Sequence, residues 1–204
     1  LLALLVCVVL TTAFAMVAGF FMAKFKMHPF ISTMANMLII FGLVTYATKG
    51  VSFGAIDPAI PNIFIPKAGR FPMIILWAII AVVVVWFIWN KTTFGKNLYA
   101  VGGNPEAATV SGISVFKVTM GAFIMAGILY GFGSWLECLR MVGSGSAAYG
   151  QGWDMDAIAA CVVGGVSFTG GIGKISGVVT GVLIFTSLTY SLTILGIDTN
   201  LQFI

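Results

Sequence analysis

Five stretches of the chain run for about twenty residues with almost no charge: 1–23, 30–48, 72–89, 118–139 and 175–197. A helix rises ~1.5 Å per residue and the hydrocarbon core of a bilayer is ~30 Å thick, so each stretch is long enough, or nearly so, to cross a membrane. A sixth, 157–172, is shorter and rich in glycine, and fits a short, a broken or a re-entrant span. The fold class expected is all-α, a polytopic transmembrane helical bundle.

Composition agrees. Of the 204 residues, 60% are hydrophobic and 8% charged, and the mean hydropathy is +1.09. A soluble domain carries about 25% charged residues because its surface meets water. No polar block is large enough for a second core, which predicts one membrane domain over 1–204. The first residues already lie inside an apolar run and Leu201-Gln202-Phe203-Ile204 read as the start of another. A fragment lacking N-terminal and C-terminal spans is therefore expected. Residues 1–23 exceed the apolar length of a signal peptide. The pI near 9.1 is no sign of nucleic acid, since in a membrane protein the placement of basic residues matters more than their sum.

Short cytoplasmic loops collect Lys and Arg. With 90–117 inside, Lys24, Lys26, Lys91, Lys96 and Lys117 share one side, joined by Lys174 if 157–172 crosses fully. Lys49, Lys67, Arg70 and Arg140 fall on the other, with Asp57, Asp154, Asp156 and Asp198. Trp77, Trp86, Trp89, Trp135 and Trp153 lie mostly near the interfaces, where amphipathic rings settle. Gly127 and Gly131 form a G-x-x-x-G, and Gly173, Gly177 and Gly181 repeat that spacing. Small residues four apart let a neighbouring helix approach closely, within one subunit or between subunits. Asp154 and Asp156 precede a helix expected to begin near Ala157, where carboxylates cap free N–H groups; contact with a solute or a partner is the other reading.

Enzyme chemistry has little to work with. One histidine, His28, permits neither a zinc cluster nor a Ser-His triad, and it reads as an interfacial residue where a helix starts. Gly171-Ile172-Gly173-Lys174 resembles the end of a phosphate-binding loop, but Ile175 stands where Ser or Thr is needed. Cys7, Cys138 and Cys161 lack metal or redox spacing and read as small buried hydrophobes. Glu137 can pair with Arg140 at i, i+3, leaving no proton relay at mid-membrane depth. No cofactor is expected.

One interval is unusually polar for its place between two spans: 90–117. At its centre Asn104 suits an N-cap, Pro105 the first helical position, Glu106 the positive helix end and Gly112 a left-handed stop. These signals predict a short capped helix outside the bilayer, over 105–111.

The run Thr93-Phe94-Gly95-Lys96-Asn97-Leu98-Tyr99-Ala100-Val101-Gly102-Gly103-Asn104-Pro105-Glu106-Ala107-Ala108, with Ser111-Gly112-Ile113, resembles the cytoplasmic coupling loop of ribose- and galactose-type ABC importer permeases. So does Asp156-Ala157-Ile158-Ala159-Ala160-Cys161-Val162-Val163-Gly164-Gly165-Val166-Ser167-Phe168, followed by Gly170-Gly171-Ile172-Gly173. The likeness covers most of 90–197 and is strongest to the galactose/methyl-galactoside members. It implies a multi-pass permease of the bacterial plasma (inner) membrane that works as a pair of copies. An ATPase subunit would dock inside, on Gly102, Gly103, Asn104, Pro105, Glu106, Ala107, Ala108, Ser111 and Gly112. A periplasmic or lipid-anchored sugar-binding protein would deliver a monosaccharide, galactose or methyl galactoside foremost, ribose or another sugar otherwise. An ion-driven carrier and a non-transporting scaffold are the competing classes.

Overall fold

A computed structural model describes residues 2–52, 59–68, 71–142 and 145–196. Leu1, Asp57, Arg70, Asp198 and the apolar run at 201–204 lie outside the described residues.

Among the described residues five helices are long and apolar enough to cross a membrane: α1 (Leu2–Phe25), α2 (Pro29–Thr48), α4 (Ile74–Lys91), α7 (Val115–Arg140) and α9 (Ile175–Ile194). They match the five apolar stretches. Between them lie α3 (Ala59–Phe64), α5 (Thr93–Gly103), α6 (Pro105–Val110) and α8 (Trp153–Val163). The described fold is all-α apart from one antiparallel pairing of Lys67–Ala68 (β1) with Phe71–Pro72 (β2).

The packing of α1 on α7 is built from small residues. A side chain at Gly127 would fall 2.6 Å from the Thr12 Cα, and one at Gly131 would fall 2.5 Å from the Val8 Cα. The backbones therefore touch where lipid gives helices no hydrophobic reason to associate. The Thr11 hydroxyl uses that closeness to reach the Gly127 carbonyl at 2.8 Å. α2 is tied to α1 by the same kind of bond, Ser32 Oγ to Ala18 O at 3.0 Å and Asn36 Nδ2 to Phe14 O at 3.2 Å. Toward the Arg140 end, Trp135, Leu136 and Leu139 are buried, with Leu4, Phe64, Trp77 and Phe132 packed on them. Trp135 is thus a core residue rather than part of an interfacial belt, and Trp77 Nε1 donates to Phe64 O at 3.0 Å.

These contacts place the helix ends. Phe20 meets Phe116 edge-on, so Lys24 lies at the end of the molecule that holds Lys117. Lys91 and Lys96 join that end through α5, whose Phe94 ring occupies the space beside Gly121 of α7. Lys174 joins it too, because the segment before it rests on α5.

The stretch 157–172 does not form one helix. α8 begins at Trp153, four residues before Ala157, and stops at Val163. Its eleven residues rise about 16 Å, half a hydrocarbon core. Gly165, Gly170 and Gly171 then take left-handed φ of 82°, 91° and 72°, which a continuing helix cannot hold. Cys138 is exposed, so among the cysteines the expectation of burial fails there; Cys7 and Cys161 are intermediate. On the last turn of α7 burial goes to Trp135, Leu136 and Leu139.

Candidate functional site

α4 ends where Thr92 becomes extended, and the same residue caps α5 by accepting from Gly95 N at 3.4 Å. Any side chain at Gly95 would run into the Trp89 carbonyl, so glycine permits this tight joint. The 11-residue α5 was not anticipated; its signals were the Thr92 cap and the apolar spacing of Phe94, Leu98 and Tyr99.

α6 follows after one extended residue. Asn104 Oδ1 accepts from Glu106 N and Ala107 N, both at 3.0 Å, and Pro105 sits at the first position, where no N–H is required. Gly112 N donates to Thr109 O at 3.0 Å and Ile113 N to Ala108 O at 2.9 Å, with Gly112 at φ 80°. That is the paired bonding of a Schellman stop. The helix ends at Val110, one residue short of the expected boundary, with Ser111 as its C-cap. Asn104, Pro105, Glu106, Ala107, Thr109, Val110, Ser111 and Gly112 are exposed. Ala108 is 4% exposed and faces the chain's own packing, so its small size serves α6 itself and not an incoming partner. The apolar side chain offered outward is Val110, 91% exposed.

α5, on which α6 is mounted, stands on the segment that leads into α9. A side chain at Gly102 would fall 2.6 Å from Gly171 N, one at Gly170 would fall 2.6 Å from Gly102 O, and one at Gly171 would fall 2.6 Å from the Gly103 Cα. Two glycine pairs thus bring two backbones together. Tyr99 Oη adds a hydrogen bond to Gly173 O at 2.8 Å. Gly173 lies before α9, not on it; the left-handed turns at Gly170 and Gly171 delay the helix until Ile175, so the three-glycine ladder has only Gly177 and Gly181 within the helix. Those two face Gly164 and the Ala160 carbonyl of α8. The Gly-Ile-Gly-Lys segment is therefore engaged with α5, lining a cleft with Trp89, Leu98, Tyr99 and Cys161.

At the opposite end, Arg140 Nε donates to Glu137 Oε2 at 2.9 Å, and Arg140 Nη2 to the Tyr149 hydroxyl at 3.2 Å. Tyr149 in turn donates to Glu137, and that bond pushes its hydroxyl above the ordinary tyrosine value. Its ring meets Trp153 edge-on at 5.2 Å, linking the end of α7 to the start of α8. Asp154 and Asp156 do not cap. Because α8 starts at Trp153 with the left-handed Gly152 as N-cap, both carboxylates lie inside its first turn. Their charge still meets the positive end of the helix dipole. Asp156 is exposed and Asp154 partly so. Among the described residues no three His, Cys, Asp or Glu side chains converge on a metal position.

The family described as "Branched-chain amino acid transport system / permease component" matches residues 1–203. The galactose/methyl galactoside import permease protein of Treponema pallidum is 55% identical over 98% of this chain and 39% of its own length. That of Haemophilus influenzae is 43% identical over 93% of this chain and 58% of its own. The L-arabinose transport system permease protein of Escherichia coli is 34% identical over 92% and 57%. The chain spans about half the length of the curated relatives it matches. No solved structure matches it.

Proposed function

We propose, proceeding from the fact that the chain belongs to the branched-chain amino acid transport system / permease component family, that it is part of the membrane subunit of an ATP-driven sugar importer. Galactose or methyl galactoside is the solute, in keeping with the names of relatives 55% and 43% identical to it. Arabinose and ribose, named for relatives 34% and 35% identical, are the nearest alternatives. α6 is the docking knob for an ATP-hydrolysing subunit on the cytoplasmic side of the inner membrane. The opposite end, with Asp154 and Asp156, receives solute from a sugar-binding protein, and two permease copies form the passage.

The observation that carries this reading is the mounting of α6. It is capped at both ends, exposes one face and stands on α5, which is bound through Tyr99 and the paired glycines to the start of α9. A push on α6 therefore has a stiff route into a spanning helix. An ion-driven carrier needs no such element, and places ionisable groups at mid-membrane depth instead.

The test is reconstitution of the full-length permease with its ATPase and binding protein in vesicles. Galactose should stimulate ATP hydrolysis, and uptake should require ATP and persist when ion gradients are collapsed. Uptake that follows a proton or sodium gradient without ATP would overturn the reading.

A further inference from the structure

α4 and α9 run beside each other near the start of α9 without closing together, and no residue of α4 is buried. Val82, Val83 and Trp86 of α4 face Ile175, Ser176, Val179 and Thr180 of α9 across a groove. Thr180 turns its hydroxyl back to the Ser176 carbonyl at 2.9 Å, so the walls stay largely apolar. At Ile175 the groove runs into the cleft bounded by Trp89, Tyr99 and Lys174.

Two cations stand at this end of the groove. Lys174 lines the cleft itself and is exposed. Lys91 is exposed too, and its ammonium lies 5.7 Å from the centre of the Trp86 ring, which forms part of the wall. Neither stretch is lined by an acid. Among the described residues neither lysine has a carboxylate partner.

An apolar groove between two spanning helices, with uncompensated positive charge at its interfacial end, has the polarity of a phospholipid. The chains belong at hydrocarbon depth and the phosphate at the boundary, where indole rings such as Trp86 and Trp89 settle and lysine ammonium groups reach water. A zwitterionic headgroup brings its own cation and leaves the lysines little to neutralise. An anionic headgroup leaves a net charge for them, and basic pockets between spanning helices on the cytoplasmic side are suited to such lipids.

We propose that an anionic phospholipid of the cytoplasmic leaflet binds here, with an acyl chain between α4 and α9 and its phosphate within reach of Lys91 and Lys174. That this end is cytoplasmic rests on the functional reading above, whereas the binding is measured without transport. The experiment uses the full-length permease in detergent, titrated with dioleoyl phosphatidylglycerol or dioleoyl phosphatidylcholine, with bound lipids counted by native mass spectrometry. Phosphatidylglycerol should bind about twentyfold more tightly, and Lys91→Gln and Lys174→Gln should each weaken it about fivefold. The double variant should bind the two lipids alike. Lys24→Gln and Lys117→Gln, at the same end but on α1 and α7, should change nothing. Val83→Trp, at an exposed position of the groove wall, should lower phosphatidylglycerol binding with melting unchanged. A preference that survives in the double lysine variant, or that Lys24→Gln reduces as much as Lys174→Gln, would overturn the proposal. So would binding that Val83→Trp leaves unaltered, or a wild-type permease that retains no phosphatidylglycerol because another segment of the full chain fills the groove. Galactose uptake by the same preparation in vesicles separates the two readings: lipid preference without uptake sinks the importer alone, and uptake without lipid preference sinks the lipid site alone.

Discussion

The Tyr99 hydroxyl donates to the Gly173 carbonyl at 2.8 Å, joining residues 74 positions apart. Replacing Tyr99 by Phe keeps the ring and removes only this bond, at a cost of about 1 kcal/mol. Thermal unfolding of the detergent-solubilised permease should shift down by a few degrees at most; under the function proposed above, galactose-stimulated ATP hydrolysis should fall while the unstimulated rate is kept. Unchanged stimulation in Tyr99→Phe would show that this bond plays no part in coupling.

The paired glycines beside it make a sharper contrast. Gly102→Ala places a methyl 2.6 Å from Gly171 N, whereas Gly103→Ala meets nothing within 4 Å. Backbone cannot yield as a flexible side chain can, so Gly102→Ala should lower stability by about 1–3 kcal/mol, in the range for overpacking, and Gly103→Ala should be nearly neutral. Thermal shift on both variants checks the difference, and equal midpoints would argue against the contact.

On α6 the two neighbouring alanines should part ways. Ala108 is buried, so Ala108→Trp is expected to damage the permease itself and lower its yield. Ala107 is exposed, so Ala107→Trp should leave yield and melting unchanged while reducing co-purification of the ATPase. Asn104→Ala removes the acceptor for two N–H groups and should cost about 1 kcal/mol, with Asn104→Asp restoring most of it. Wild-type co-purification with Ala107→Trp would remove α6 from the docking surface.

In the membrane, Gly127→Leu and Gly131→Leu should force α1 from α7, since both positions lie against α1 backbone. Gly42→Leu is the control, with nothing within 4 Å. Loss of monodisperse protein in detergent is expected for the first two and not for the third.

The spanning helices were legible because an apolar run of the right length has little else to become. The caps of α6 were legible as well, since Asn104, Pro105 and Gly112 act on neighbours within a few residues. What escaped was set at long range. Nothing local says that Gly102 and Gly171 touch, that Ala108 turns inward, or that Gly173 stops short of its helix. The capping role expected of Asp154 and Asp156 failed because Gly152 adopts a left-handed conformation and starts α8 early.

The bond from Thr11 to Gly127 spans 116 positions, and this imposes an order on synthesis. At the ~5–20 residues per second of translation, Gly127 emerges roughly 6–23 s after Thr11. Throughout that interval α1 waits in the bilayer without the partner its small residues were shaped to meet. Thr11 can wait because its hydroxyl also reaches the Cys7 carbonyl of its own helix at 2.8 Å. α1 is thus completed by a helix made 116 positions later, and a ribosome that stalls before α7 leaves the contact between Thr11 and Gly127 unmade.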